Sequence, residues 1–67
     1  MDMKYYEGLQ VYVKLNSQRV YSGKIIEVTW IGKDNFGVDL YIFDMIDKFG
    51  SKLSFSNKEL NLIEEEK

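Results

Sequence analysis

The segment that decides the fold is residues 20–30, VYSGKIIEVTW. This segment is long for a single strand, and its apolar residues change phase midway. One face carries Tyr21, Gly23 and Ile25, and the other then carries Ile26, Val28 and Trp30. A phase change next to a glycine predicts a bulge or a sharp bend, because glycine tolerates both. We therefore expect one long strand to serve both halves of a small barrel.

Alternating apolar and polar residues predict further strands on both sides of this segment. The predicted strands are residues 9–15, 38–46, 52–56 and 60–64. Turn-forming residues separate them, and residues 56–59 predict a single 3₁₀ turn before the last strand. Residues 3–7 predict one or two helical turns, with Asp2 as the cap and Gly8 at the end. The sequence thus predicts an all-β fold, a small five-stranded, strongly bent SH3-like barrel with a short N-terminal helical turn.

The length of 67 residues indicates one domain, residues 1–67. A core this small supplies roughly 3–5 kcal/mol of net stability at most. The chain has no Cys and no His, so neither disulfides nor zinc bound by thiolate and imidazole ligands can add to this stability. Association with further copies of the chain is the remaining means of stabilisation, and we expect a homo-oligomer.

The same two absences limit the chemistry that the chain can perform. Without His or Cys there is no imidazole base, no Ser-His or Cys-His nucleophile and no thiolate redox centre. Four carboxylates, Asp34, Asp39, Asp44 and Asp47, follow no calcium-loop spacing. We therefore expect no enzyme activity, no metal and no cofactor. No apolar run reaches the ~20 residues that span a bilayer, which predicts a cytoplasmic protein without membrane contact.

Charge is unevenly distributed along the chain. Residues 1–58 carry eight basic and seven acidic side chains, for a net charge of +1, whereas residues 59–67 carry four acidic and one basic, for −3. The acidic excess belongs mostly to residues 64–67, which we interpret as a solvated tail. The body of the domain can therefore still present a basic surface, and the overall charge of −2 is weak evidence against RNA binding.

The stretch of residues 8–24, GLQVYVKLNSQRVYSGK, resembles the first motif of the Sm-like (LSm and Hfq) family. The matching positions are Gly8, Val11, Val13, Leu15, Arg19, Tyr21 and Gly23. Residues 55–64 resemble the second motif, in which a short turn leads into the final strand. The hairpin at residues 47–50, with the Phe-Ser and Glu-rich segments that follow it, is similar to small Sm-like proteins of phage and bacterial origin. The family's turn glycine is replaced by Gln18, which is a departure in turn type.

This resemblance implies a barrel whose copies join into a ring of six or seven subunits. The fourth strand of one copy pairs with the fifth strand of the next, which removes the exposed sheet edges. The residues that the resemblance assigns to the subunit interface are Lys52, Leu53, Phe55, Leu60, Leu62 and Ile63.

Family members bind single-stranded, often uridine-rich RNA between the loop after the second strand and the turn before the last. The resemblance therefore implies RNA contacts for Lys33, Asn35 and Phe36 in the loop and for Asn57 and Lys58 in the turn. Three departures put the standard uridine pocket in question. Thr29 replaces an Asp, Asp39 replaces an Asn, and Ser56-Asn57 replaces Arg-Gly.

Other interpretations remain open. The loop is alternatively an ordinary solvated hairpin whose Phe36 folds back onto the barrel, with Asn57 and Lys58 capping a turn. Three aromatic residues also admit two interpretations. They form a stacking platform near Lys14, Lys24 and Lys52, or they are core or interface residues, which we favour. These aromatic residues are Trp30, Tyr41 and Phe43. The alternative functions are a phage- or plasmid-associated protein-interaction or assembly module without nucleic-acid binding, and an SH3-like DNA-binding accessory.

Overall fold

The computed structural model describes residues 2–66. Its five strands are β1 (Gln10–Leu15), β2 (Gln18–Lys33), β3 (Asp39–Ile46), β4 (Lys52–Ser56) and β5 (Ile63–Glu65). Residues 2–66 also contain two short 3₁₀ helices, the first at Met3–Tyr6 and the second at Asn57–Leu62. The all-β class, the five strands and the short N-terminal helical turn are as the sequence predicts.

All five strands form one antiparallel sheet in the order β4-β3-β2-β1-β5. The first half of β2 pairs with β1, and the rest pairs with β3. Lys24 lies at the junction, opposite both Gln10 and Ile46. One long strand therefore serves both halves of the barrel-like sheet, as predicted. β4 and β5 form the two edges of this sheet.

Two features allow β2 to bend. A Cβ atom on Gly23 would lie 2.6 Å from the carbonyl oxygen of Ile46, so only glycine lets β2 and β3 approach so closely. The register shifts between Ile25 and Glu27, which identifies Ile26 as a bulged residue. Because of this bulge, Val28 is buried together with Gly23 and Ile25, and not on the opposite face with Ile26 and Trp30.

The core is small. It consists of six buried side chains from four strands: Val11, Ile25, Val28, Phe43, Met45 and Phe55. The rings of Phe43 and Phe55 lie 5.2 Å apart, and Tyr6 of the first 3₁₀ helix packs on Phe43 at 5.4 Å. Phe43 is therefore a core residue, whereas Tyr41 is half-buried and Trp30 is 55% exposed, so these three aromatic residues do not form a common stacking platform.

The first 3₁₀ helix is fastened to β2 through Val28. The Glu7 carboxylate accepts a hydrogen bond from the Val28 amide at 2.9 Å, and Lys4 Nζ donates to the Val28 carbonyl at 2.7 Å. Asp2 caps the helix by accepting from the Lys4 amide. The Val28 amide, followed by Lys4, lowers the pKa of Glu7. Met3 and Tyr6 of the helix thus pack against the core.

The second 3₁₀ helix is longer than the predicted turn at residues 56–59, and β5 is correspondingly shorter than residues 60–64. Ser56 and Glu59 form a capping box at its start. Glu64 and Glu65 lie in β5 and are not part of a solvated tail. Glu64 receives hydrogen bonds from Arg19 and from Lys14, and these two cations lower its pKa.

The connections on both sides of β2 are short. Asn16 and Ser17, with φ of 52° and 67°, make a two-residue β1–β2 turn of the kind that the twist of a hairpin favours. β2 continues to Lys33, and the loop that follows it comprises residues 34–38. Neither 3₁₀ helix within residues 2–66 has the length and apolar character needed to cross a membrane.

We predict that Gly23→Ala lowers the free energy of unfolding by about 1–3 kcal/mol, because its Cβ would collide with the backbone of β3. Urea unfolding followed by circular dichroism measures this change. Ser22→Ala, at an exposed neighbouring position, is the control and should stay within about 0.5 kcal/mol of the parent protein. Equal stability of the Gly23→Ala and parent proteins would contradict the role given to Gly23.

Candidate nucleic-acid interface

The loop between β2 and β3 is held rigid by Asp34. Its Oδ1 atom accepts hydrogen bonds from the Phe36 amide at 2.8 Å and from the Val38 amide at 3.0 Å. The Asp34 amide donates to the Val38 carbonyl, and the Gly37 amide donates to the Asp34 carbonyl. The amides of Val38 and Phe36 lower the pKa of Asp34, which therefore remains ionised at neutral pH.

Phe36 lies at the tip of this loop with 90% of its surface exposed. The ring does not fold back onto the barrel, so this part of the alternative interpretation is wrong. Asn35 beside it is also exposed. These two side chains are open to a ligand.

The second 3₁₀ helix lies against the same loop. Lys58 Nζ is 3.4 Å from Asp34 Oδ2. The side chain of Asn57 bridges to the start of β3, accepting from the Tyr41 amide at 3.0 Å and donating to the Asp39 carbonyl at 2.9 Å. The loop after β2 and the turn before β5 are thus brought together, although β3 and β4 lie between them in the chain.

Asp39 is the second carboxylate of this surface. It accepts hydrogen bonds from Lys33 Nζ at 3.0 Å and from the Trp30 indole nitrogen at 3.2 Å. Lys33, followed by Trp30, lowers the pKa of Asp39. Asp39 and Lys33 therefore neutralise each other's charge.

The five RNA-contact residues predicted from the sequence therefore lie around one surface but differ in availability. Asn35 and Phe36 are free of side-chain partners, whereas Lys33 and Lys58 each pair with a carboxylate, and both ends of the Asn57 amide are bonded to β3. Thr29 lies inside β2, where its hydroxyl donates to Glu27, so it is not a loop residue. Asp34, which sequence reasoning did not select for this site, is the first residue after β2.

The residues predicted for a subunit interface lie at the two edges of the sheet. Lys52, Leu53 and Phe55 belong to β4, Ile63 begins β5, and Leu60 and Leu62 precede it in the second 3₁₀ helix. Phe55 is a core residue, and Leu60 and Ile63 pack on the core from outside. Leu53 is 38% exposed.

An apolar cleft of about 370 Å³ lies between these edges. Its walls include Leu15 and Val20 near the β1–β2 turn, together with Leu53, Leu62 and Ile63. Leu15 and Val20 are each about half exposed, so the cleft leaves apolar surface in contact with water. An exposed apolar surface of this kind, beside two edge strands that are each paired on one side only, is typical of a protein-interaction site.

No group of three or more carboxylates within residues 2–66 is placed to hold a metal ion. Asp34 and Asp47 instead accept hydrogen bonds from loop amides, and Asp44 accepts from the Ser54 hydroxyl.

Comparisons of the chain with models of known protein families, with curated proteins and with solved structures gave no match. The resemblance to the Sm-like family stays a prediction.

We predict that Asn57→Ala lowers the free energy of unfolding by about 1–3 kcal/mol, since it leaves the Tyr41 amide and the Asp39 carbonyl without partners. Chemical denaturation measures the loss. Asn61→Ala, in the same 3₁₀ helix but exposed, should change stability little. If both variants unfold at the same denaturant concentration, the Asn57 bridge contributes nothing to the junction.

Proposed function

We propose that the protein is a non-catalytic, Sm-like barrel that assembles with copies of itself into a closed ring and binds single-stranded RNA. The observation that carries the assembly is the pair of unpaired sheet edges with an apolar cleft between them. The RNA component depends on the meeting of the β2–β3 loop with the second 3₁₀ helix.

The edges favour pairing with another copy because their backbone groups and apolar side chains are otherwise left to water. A strand added at β4 or β5 extends the sheet by main-chain hydrogen bonds. A core of only six buried side chains gains stability from such an addition. The neighbouring copy would also cover the cleft beside Leu53 and Ile63.

Charge favours a head-to-tail arrangement. Two β5 edges brought together would place Glu64, Glu65 and Glu66 of one copy beside the same residues of another. β4 carries Lys52 and no acidic residue. Pairing of β4 with β5 of the next copy avoids this repulsion, and repeated head-to-tail contacts close into a ring when the rotation between copies allows it.

RNA binding is supported by the loop surface. Phe36 offers an exposed aromatic face to an unpaired base, and Asn35 supplies an amide that can donate to and accept from a base edge. Lys33 and Lys58 lie at the margins of this surface. Contacts of the two lysines with phosphate would require them to leave Asp39 and Asp34.

Assembly is tested by measuring mass in solution. Light scattering coupled to size exclusion should give a multiple of the 7.9 kDa chain mass for the parent protein. Leu53→Asp should shift this species toward the monomer, because it places a charge in the apolar cleft. Circular dichroism establishes that the variant is folded.

Ile26→Asp is the matched control for assembly. Ile26 is 43% exposed, close to the 38% of Leu53, but it lies on β2, away from both edges. This variant should keep the oligomeric mass. A parent protein of 7.9 kDa at every concentration tested would disprove the ring.

RNA binding is tested with Asp39→Asn. Removing this carboxylate frees Lys33, so we expect tighter binding of a fluorescent oligo-uridine. The slope of log affinity against log salt should steepen by about 0.7 for one added phosphate contact to a single strand. Phe36→Ala should weaken binding by removing the stacking surface.

Asp44→Asn, in the same strand but bonded to Ser54, is the control for Asp39→Asn and should leave the salt slope unchanged. If the parent protein and the Asp39→Asn variant both fail to bind oligo-uridine at low salt, the RNA component of the proposal is wrong.

An assembly module that binds no nucleic acid is the second candidate. It is favoured by the pairing of Lys33 and Lys58 with carboxylates, which leaves the loop surface without net positive charge. An oligomeric mass without RNA binding would select this function.

A further inference from the structure

The loop that displays Phe36 occurs twice in the chain. Residues 34–38 read DNFGV and residues 47–51 read DKFGS. In the second loop, Asp47 Oδ1 accepts from the Phe49 amide at 2.9 Å and from the Ser51 amide at 2.8 Å. The Asp47 amide donates to the Ser51 carbonyl, and the Gly50 amide donates to the Asp47 carbonyl. These are the same four hydrogen bonds that close the first loop.

The glycine of each loop adopts a left-handed conformation, with φ of 79° at Gly37 and 85° at Gly50. Each loop holds its phenylalanine outward, and Phe49 is 82% exposed. A large apolar ring that a hydrogen-bonded turn leaves in water contributes little to the stability of the fold. Such a ring is pre-organised for contact with a ligand.

The two loops lie at opposite ends of β3, one before and one after this strand. Eight residues of strand separate the ends by about 26 Å. Phe36 and Phe49 therefore belong to different surfaces of the domain.

The charges around the two loops differ. At the first loop, Lys33 and Lys58 are paired with carboxylates. At the second loop, Lys24 and Lys48 take part in none of the ion pairs formed within residues 2–66. Lys24 lies opposite Ile46, next to Asp47, and Lys48 Nζ lies 5.2 Å from the centre of the Phe49 ring. The second loop therefore combines an exposed aromatic ring with unpaired cations.

A cavity of about 280 Å³ adjoins Phe49. It is lined by Gln10, Tyr21, Ser22, Asp47, Lys48 and Phe49. Drug-sized ligands occupy about 300–1,000 Å³, and a single nucleobase is smaller. The aromatic rings of Tyr21 and Phe49 suit a flat base, while the Gln10 amide and the Ser22 hydroxyl can donate to or accept from its edge.

One hydrogen bond joins the Tyr21 wall of the cavity to the loop. The Tyr21 hydroxyl donates to the Ser51 carbonyl at 3.1 Å, which ties the loop to β2. Burial, followed by the Asp47 carboxylate, raises the pKa of Tyr21, so the hydroxyl keeps its proton. Asp47 is the one acidic group of the lining, and its Oδ1 atom is directed to the loop amides of Phe49 and Ser51.

We propose that the loop at residues 47–51 and the adjoining cavity form a second RNA site, which takes one unpaired base of a single strand. The base stacks on Phe49, and Lys24 and Lys48 contact the flanking phosphates. The inference rests on the proposed function for its class of ligand, and it adds a site that the family resemblance does not assign. Cationic side chains around an exposed aromatic ring are the combination that binds single strands.

The test measures binding of fluorescent oligo-uridine and oligo-adenosine to the parent protein, Phe49→Ala, Phe36→Ala and Tyr5→Ala. Phe49→Ala should weaken binding about tenfold, which is within the range for loss of one stacked base. Tyr5 is an exposed aromatic residue outside both loops, and its substitution should have no effect. Unfolding curves establish that each variant is folded.

A second variant tests the phosphate contacts. Lys24→Ala combined with Lys48→Ala should reduce the slope of log affinity against log salt by about 1.4, for two contacts with a single strand. A base-paired RNA of the same length should compete poorly, because its bases cannot stack on Phe49.

The outcomes separate this inference from the proposed function. Binding that is lost in Phe36→Ala but unchanged in Phe49→Ala and in the double lysine variant overturns the second site and leaves the proposed function standing. Binding lost in Phe49→Ala but not in Phe36→Ala supports the second site and moves RNA binding away from the β2–β3 loop. Absence of binding to either oligonucleotide overturns both.

Discussion

The close approach of β2 to β3 at Gly23 is the constraint on which the rest of the structure depends. The missing side chain leaves room for the Ile46 carbonyl, which a Cβ atom would meet at 2.6 Å. At the next residue, Lys24, β2 pairs with β1 on one side and with β3 on the other. The bulge at Ile26 then returns Val28 to the interior. Without these two features β2 would be straight, and Val11 and Phe43 would not share a core.

This bend also determines which surfaces are left for function. A sheet of five strands curled around six buried side chains keeps two free edges, and β4 and β5 occupy them. The apolar cleft lies between these edges. Both connections of β3 are tight loops that present a phenylalanine. A domain of this size has little interior for chemistry, so its functional potential lies in edges and loops.

The two phenylalanine loops, residues 34–38 and 47–51, share a backbone conformation but differ in the charges around them. The carboxylate of Asp34 or Asp47, together with a left-handed glycine, fixes the backbone of the loop in the same way in both. The surrounding strands then decide the charge. Asp39 and Asp34 neutralise the lysines at one end of β3, whereas Lys24 and Lys48 are left without carboxylate partners at the other. The same local motif thus lies in two different electrostatic environments.

The sequence by itself determined the strands, the bend and the single small barrel, because alternation of apolar residues and the position of Gly23 act locally along the chain. It also placed Phe36 and Asn35 in a loop. Only the tertiary structure decided that Asn57 bonds to β3, that Lys33 and Lys58 are paired, and that Glu64 lies in a strand. Lys58 pairs with Asp34, and Asn57 bonds to β3, so both contacts join residues that are far apart in the chain. In the sequence alone, each of these polar side chains has several possible partners. Which acceptor each donor meets depends on the strand register and on the bulge, and periodicity does not fix these.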